Sequence, residues 1–323
     1  MTSATQLEIL DLRHFSAAQL RPLLEQEAMV WESRLTWDYR SSTQLLLQYL
    51  DSRILPGFVA LDRGRVCGFT FCVYEGHKAV IGDAFSLATG PDTALDITRT
   101  LLHHLLEVLE HSPDIDRIES QLLLYDSGEI QDTFRNAGFT IHPRLFMHSP
   151  LPAPAAAAAS ITFPSFIDLS VWSPSHYQPA AELIHAAYAG HIDARINDQY
   201  RSLHGSLRFL HNIVRFPGCG VFEPGASWTL RDKRTGGMVG MVLCSRISPT
   251  VAHITQLCIT PAYRSHGMGE NLLRHSMTQL HHRGFQSITL TVSEENDQAV
   301  RLYRHLGFTT LHRFDAMVLD KKL

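Results

Sequence analysis

The stretch Thr260-Pro261-Ala262-Tyr263-Arg264-Ser265-His266-Gly267-Met268-Gly269 decides how this chain is read. It is an Arg-x-x-Gly-x-Gly turn between an apolar strand, Ile254-Thr255-Gln256-Leu257-Cys258-Ile259, and a helix expected from about Glu270 to Arg283. Two glycines let backbone approach a ligand closely. Several N–H groups then point outward at a helix N-terminus, where the dipole favours an anion. Arg264 adds a fixed positive charge. The arrangement suits a pyrophosphate, although spacing alone also fits an ordinary strand-to-helix connection.

The residues that follow narrow the choice. Leu273, Met277 and Leu280 form one apolar helix face, and Gly284 follows as a stop. Ser287-Ile288-Thr289-Leu290-Thr291-Val292 alternates and is β-branched, which predicts a strand. Asn296-Asp297 supplies cap oxygens for a short helix with Ala299, Leu302, Tyr303 and Leu306 on one side. Gly307-Phe308 ends it. This order over about sixty residues resembles the acetyl-CoA-binding core of the GNAT N-acetyltransferase superfamily. A Rossmann fingerprint, with its third glycine and acidic strand end, is not present.

The resemblance implies direct transfer of an acetyl group from the thioester of acetyl-CoA to a primary amine. It places the pyrophosphate on Arg264, Ser265, His266, Gly267, Met268 and Gly269. It lays the pantetheine arm along the backbone of Leu257, Cys258 and Ile259, where flanking strands splay, and adds Asn296 to the cofactor site. It makes Tyr303 the acid that protonates the leaving thiolate. Without the motif, Tyr303 reads as a core tyrosine beside Leu302 and Leu306. His253 is the candidate base. It shares strand parity with Thr255 and Leu257 and so is expected on their face of the sheet, and an imidazole accepts a proton at neutral pH. An ordinary polar residue at the strand start is the competing reading, and Gln256, Glu294 or a water chain are alternatives. Cys258 has the opposite parity and is expected to pack against a helix.

The 323 residues, 45% hydrophobic and 19% charged, describe two soluble globular domains. A net charge of −4 offers no basic field for nucleic acid. No apolar run is long enough to span a membrane. The five cysteines lack Cys-x-x-Cys spacing and read as reduced thiols in a cytoplasm. The histidines show no metal-ligand spacing. Oligomeric state leaves no mark on the sequence.

Pro150-Leu151-Pro152-Ala153-Pro154, five alanines and Ser160 read as a linker. The expected organisation is a first domain at 1–150, a linker at 151–160 and a catalytic domain at 161–323. The halves look related. Asp38-Tyr39-Arg40-Ser41 and Gln199-Tyr200-Arg201-Ser202 precede similar amphipathic stretches, and both halves end in Gly-Phe, at Gly138-Phe139 and Gly307-Phe308. This resembles a tandem GNAT protein, an arrangement shared with mycothiol synthase. The fold class expected is α+β, two tandem GNAT-like domains, each a mixed, mostly antiparallel sheet flanked by helices.

The first half departs from the pattern. Its turn reads Leu87-Ala88-Thr89-Gly90-Pro91-Asp92, without Arg-x-x-Gly-x-Gly, and Asp92 and Asp96 would repel a phosphate. Matching Gly138 to Gly307 puts Phe134 opposite Tyr303. The first domain is therefore expected to be non-catalytic. The acceptor site is expected at about 178–214, which holds Tyr188, His191, Asp193 and Tyr200 among residues that mostly read as solvated helix faces. The acceptor is a small-molecule or peptide amine. A mycothiol-synthase-like enzyme acting on an amino sugar conjugate, or a non-catalytic acyl-CoA sensor, are the rival readings.

Overall fold

The computed structural model describes residues 7–89, 93–151 and 161–321. Most of the expected linker (152–160) and the end of the first-half turn (90–92) lie outside the described residues. The chain divides into two compact units. One comprises residues 1–144 with 313–323, and the other 145–312. A cut at 151–160 would assign the final strand to the second half of the chain. In the structure its residues from Arg313 onward pack with the first unit.

The first unit contains β1 (Leu7–Asp11), α1 (Ala17–Leu35), α2 (Arg40–Ser52), β2 (Gly57–Asp62), β3 (Arg65–Glu75), β4 (Lys78–Ser86), α3 (Ala94–Glu110), β5 (Arg117–Gln121), α4 (Gln131–Asn136) and the start of β6 (Thr140–Pro150). Its sheet runs β1-β2-β3-β4-β5, and the final strand of the chain lies beside β5. That strand pairs antiparallel from Ala316↔Gln121 to Asp320↔Arg117. β4 and β5 are parallel neighbours, while β1 with β2, β2 with β3, β3 with β4, and β5 with the final strand are antiparallel. Leu102, Leu105, Leu106 and Leu109 of α3 bury against Ile81 and Ile118 of the sheet, the 3.6-residue spacing of a helix laid on a strand surface. Thr93 and Asp96 start α3 with a reciprocal capping box.

The second unit contains β7 (Ile167–Val171), α5 (Tyr177–Tyr188), α6 (Asp193–Ile196), α7 (Leu203–Arg215), β8 (Val221–Phe222), β9 (Trp228–Asp232), β10 (Met238–Ser248), β11 (Val251–Ile259), α8 (Met268–His282), β12 (Ser287–Ser293), α9 (Asp297–His305) and the start of β13 (Thr309–Asp320). Its sheet runs β12-β11-β10-β9-β7, with the residues of β6 from Leu145 beside β12. One face carries α8, whose Leu272, Leu273, Met277 and Leu280 pack on Val242, Ile254 and Leu290. The other carries α5 and α7, whose Ala180, Ile184, Leu210 and Ile213 pack on Met241, Leu243 and Cys258. A sheet covered on both faces explains why β10 is apolar almost throughout.

Each unit is thus a mixed, largely antiparallel sheet with helices on its faces, the α+β arrangement expected. Among the described residues, no helix is long and apolar enough to cross a membrane.

Candidate active site

The glycine turn forms where the sequence places it. Pro261–Tyr263 make one turn of 3₁₀ helix after β11. Ser265 then takes φ +63° and Gly267 φ +72°, both left-handed. At Gly267 nothing lies within 4 Å of where a Cβ would stand. The position faces open space, and glycine meets the backbone requirement. Helix α8 begins at Met268, two residues before the expected start. The backbone N–H groups of Ser265 through Glu270 have no partner among the described residues, and the first bond of the helix is Asn271 N–H to Gly267 O at 2.9 Å. This is a row of free donors on a positive helix end.

Arg264 does more than carry charge. Its Nε donates to the Ile259 carbonyl at 3.0 Å, and a terminal nitrogen donates to the Ala187 carbonyl at 2.7 Å. The side chain ties the end of α5 to the end of β11.

The strand ahead of the turn opens at a defined point. Strands β11 and β12 pair in parallel from Val251↔Ser287 to Ile254↔Leu290, and there the pairing stops. The register with β10 slips at the same place, since Cys244 faces Ile254 and Leu243 faces Gln256. Thr255 is the extra residue of a β-bulge. Its hydroxyl donates to the Leu243 carbonyl at 3.1 Å. Beyond the bulge, Gln256 to Ile259 stay bonded to β10 while their other edge is free of β12. No side chain among the described residues donates to the Leu257 carbonyl.

The bulge corrects the parity expected for His253. A regular ladder would put it on the face of Leu257. The inserted Thr255 shifts the alternation, so that Ala252, Ile254, Leu257 and Ile259 all join the α8 side. His253 therefore points to the opposite face. It is buried in the closed half of the strand pair, where Nδ1 and Thr289 Oγ1 share a hydrogen bond at 2.9 Å and the ring stacks on Phe146 with centroids 5.9 Å apart. Thr289 in turn donates to the Ala252 carbonyl. Cys258 lies wholly past the bulge, and there the parity count holds. It packs on the α5 and α7 side, and burial pushes its thiol up to about 12. Such a thiol is no nucleophile at neutral pH.

Tyr303 lies on α9, which Asn296 caps by accepting the Ala299 N–H at 3.2 Å. Gly307 at φ +88° closes the helix, with Phe308 N–H bonded to the Tyr303 carbonyl at 3.0 Å. The Tyr303 ring is buried beside Phe308. Its hydroxyl has no partner among the described residues. Burial raises its pKa well above the ordinary phenol value, and the charge of Asp193 pushes the same way. The phenol stays protonated through the neutral range, with a proton to give.

Asp193, Ser293 and His191 complete the neighbourhood. The Ser293 hydroxyl, at the end of β12, donates to Asp193 Oδ1. Asn296 Nδ2 lies 3.4 Å from His191 Nε2. Burial, joined by the charge of Arg264, lowers the His191 pKa against the pull of Asp193, and the ring is neutral at neutral pH. Ser293 gave no signal in the sequence, because a serine at a strand end has many uses.

The first unit has the same opening, closed by its own side chain. The pairing of β4 with β5 stops at Ile81↔Ser120, and Gly82 is the bulged residue. Counted from the two bulges, Ala84 stands where Leu257 stands in the second unit. The Tyr125 hydroxyl donates to the Ala84 carbonyl at 2.9 Å and bonds Thr98 Oγ1 at 2.9 Å. Phe134 is fully buried against Phe139, as Tyr303 is against Phe308. Ring and packing persist, and the proton donor does not. Among the described residues of either unit, no group of His, Cys, Asp and Glu side chains could hold a metal ion.

Comparison with known proteins fits this anatomy. A GCN5-related N-acetyltransferase from Sphaerobacter thermophilus superimposes with a TM-score of 0.67 over 97% of this chain and 95% of its own, at 13% identity. A tandem GNAT protein from the clavulanic acid biosynthesis pathway does so with a TM-score of 0.60 over 98% and 99%, at 15% identity. At these identities the likeness is one of fold, and that fold is the tandem GNAT arrangement. Residues 189–308 match the model of the acetyltransferase (GNAT) family, and this part of the chain is a GNAT domain, a member of a family of acyltransferases. A mycothiol acetyltransferase of Beutenbergia cavernae is 28% identical over 88 residues, which span 27% of this chain and 30% of that protein.

Arg264→Ala should leave the Ala187 and Ile259 carbonyls unpaired. We expect the second unit to lose about 1–3 kcal/mol of stability in urea denaturation. Unchanged stability would mean that the arginine has no clamping role.

Proposed function

We propose that the second unit is an acetyl-CoA-dependent N-acetyltransferase that moves an acetyl group to a primary amine by direct attack on the thioester. One observation carries this reading. Strand β11 is freed from β12 just past the Thr255 bulge, and the freed segment runs straight into the glycine turn. Backbone donors and acceptors on an open strand edge suit the amide-bearing arm of the coenzyme. The free N–H groups from Ser265 to Glu270 suit its diphosphate. When bound, acetyl-CoA supplies an activated carbonyl and a thiolate leaving group.

The chain's own residues have separate tasks in this reading. Leu257, Cys258 and Ile259 offer the strand edge, with the Ile259 carbonyl already engaged by Arg264. Ser265, His266, Gly267, Met268 and Gly269 form the anion cradle. Arg264 braces the cradle and adds charge behind it. Asn296 holds the α9 N-terminus. Tyr303 gives its phenolic proton to the departing sulfur; burial keeps the phenol protonated but makes it a weaker acid, so the step relies on the placement of its hydroxyl against the sulfur rather than on acidity. His253, the candidate base, is buried in the closed strand half with Nδ1 bonded to Thr289 Oγ1, and that burial away from the open edge favours a positioning role. The first unit does not turn over: Phe134 has no hydroxyl, and Tyr125 occupies the strand edge.

A mycothiol-synthase-like activity on an amino sugar conjugate is the second reading. The local match to a mycothiol acetyltransferase favours it.

Tyr303→Phe should lower kcat by about 10²- to 10⁴-fold, the range of a single acid–base residue, with acetyl-CoA affinity kept. The buried Phe134 of the first unit indicates that phenylalanine fits such a site. Thiol release measured with an amine panel tests this, and an undiminished rate in the variant overturns the acid assignment. Gly267→Glu should abolish acetyl-CoA binding in calorimetry, because it strains a left-handed residue and puts a carboxylate among the free N–H groups. Retained affinity would contradict the cradle.

A further inference from the structure

Asp193 opens the short helix α6, and its side chain keeps 14% of its surface exposed. Its carboxylate is held in place. The Ser293 hydroxyl donates to Oδ1. The backbone N–H of Asp193 donates to His191 Nδ1 at 3.2 Å, while Oδ2 lies 3.5 Å from that same nitrogen. Because Nδ1 is accepting, the imidazole turns no proton toward the carboxylate. The lowered pKa of His191 keeps the ring neutral as well. Among the described residues no lysine or arginine pairs with Asp193.

A mostly buried carboxylate without a cation is costly, and an incoming cation offsets that cost. Its surroundings suit one. Tyr188 stacks on Tyr200 with ring centroids 4.3 Å apart, and the Tyr188 ring lies 5.2 Å from His191. Aromatic faces attract ammonium groups. The location is also right. Ser293 ends β12 on the open side of the splay, and Asn296, near His191, caps the helix that carries Tyr303. The field of Asp193 is felt at the phenols of both Tyr188 and Tyr303, whose pKa values burial raises first and this charge raises further.

We propose that Asp193, fixed by Ser293 and lying near Tyr188, anchors the ammonium group of the acceptor, so that the acceptors are aliphatic primary amines that arrive as cations. This rests on the reading of the second unit as an amine acetyltransferase. It adds an acceptor class, and it assigns Asp193 a binding role at the substrate rather than a place in a solvated helix face.

The test is steady-state kinetics on the full chain with acetyl-CoA and four acceptors: n-butylamine, 2-phenylethylamine, a lysine-containing peptide, and aniline, which is uncharged at neutral pH. The wild type should prefer the aliphatic amines. Asp193→Asn should raise their KM by about 10- to 100-fold, the loss of one charge-assisted hydrogen bond. The acetyl-CoA dissociation constant and the KM for aniline should stay within about threefold. Ser293→Ala keeps the charge and frees the carboxylate, so a smaller rise of about 3- to 10-fold is expected. It serves as the deciding variant if Asp193→Asn does not fold. An active wild type whose KM is unmoved by either variant, a fall in kcat alone, or a preference for aniline each overturns the anchor and leaves the acetyltransferase reading intact. A wild type that binds acetyl-CoA and transfers to none of the amines overturns both.

Discussion

One extra residue, Thr255, divides β11 into a half bonded to β12 and a half that is not. A parallel pair that ran regularly to its end would spend its edge N–H and C=O groups on the neighbouring strand and leave nothing for a ligand. The bulge ends that pairing, and the Thr255 hydroxyl takes up the Leu243 carbonyl beside it. The strand edge and the cradle that continues it both follow from where the opening occurs. The first unit has a bulge at the matching place, at Gly82. There the ring of Phe71 would stand 2.4 Å from any Cβ, so a larger residue would have to displace that ring.

The turn beyond the opening is costly to build. Ser265 holds a left-handed conformation without being glycine, which costs roughly 1–2 kcal/mol. Arg264 offsets it by binding two carbonyls from two elements, and the apolar face of α8 anchors the far side. A rigid frame around free backbone donors suits electrostatic recognition, since groups already oriented need no reorganisation when an anion arrives.

Much of this was legible from the residues. The strand, turn, helix, strand and short helix from Ile254 to Phe308 each carry local signals, namely β-branching, two glycines, apolar spacing and a capping Asn296. The face of His253 was not legible, because alternation counts assume a regular ladder and a bulged threonine looks like any other. The role of Arg264 was half legible. Its charge shows in the sequence, but its carbonyl partners, Ala187 and Ile259, are set by tertiary packing. Asp193 was hidden among polar residues of a helical region, and only the fold brings Ser293 to it. The strand from Arg313 shows no sequence sign that it packs with the first unit, since strand patterning says nothing about which sheet receives it.

The two units differ most at one atom, the carbonyl past the bulge. In the first it accepts from Tyr125, and in the second no side chain among the described residues donates to it. Amide hydrogen exchange with and without acetyl-CoA reads that difference residue by residue. The account predicts strong protection of peptides covering residues 256–271, and no change at 83–89. Protection confined to the first unit, or none at the second unit's open strand and turn, would contradict it.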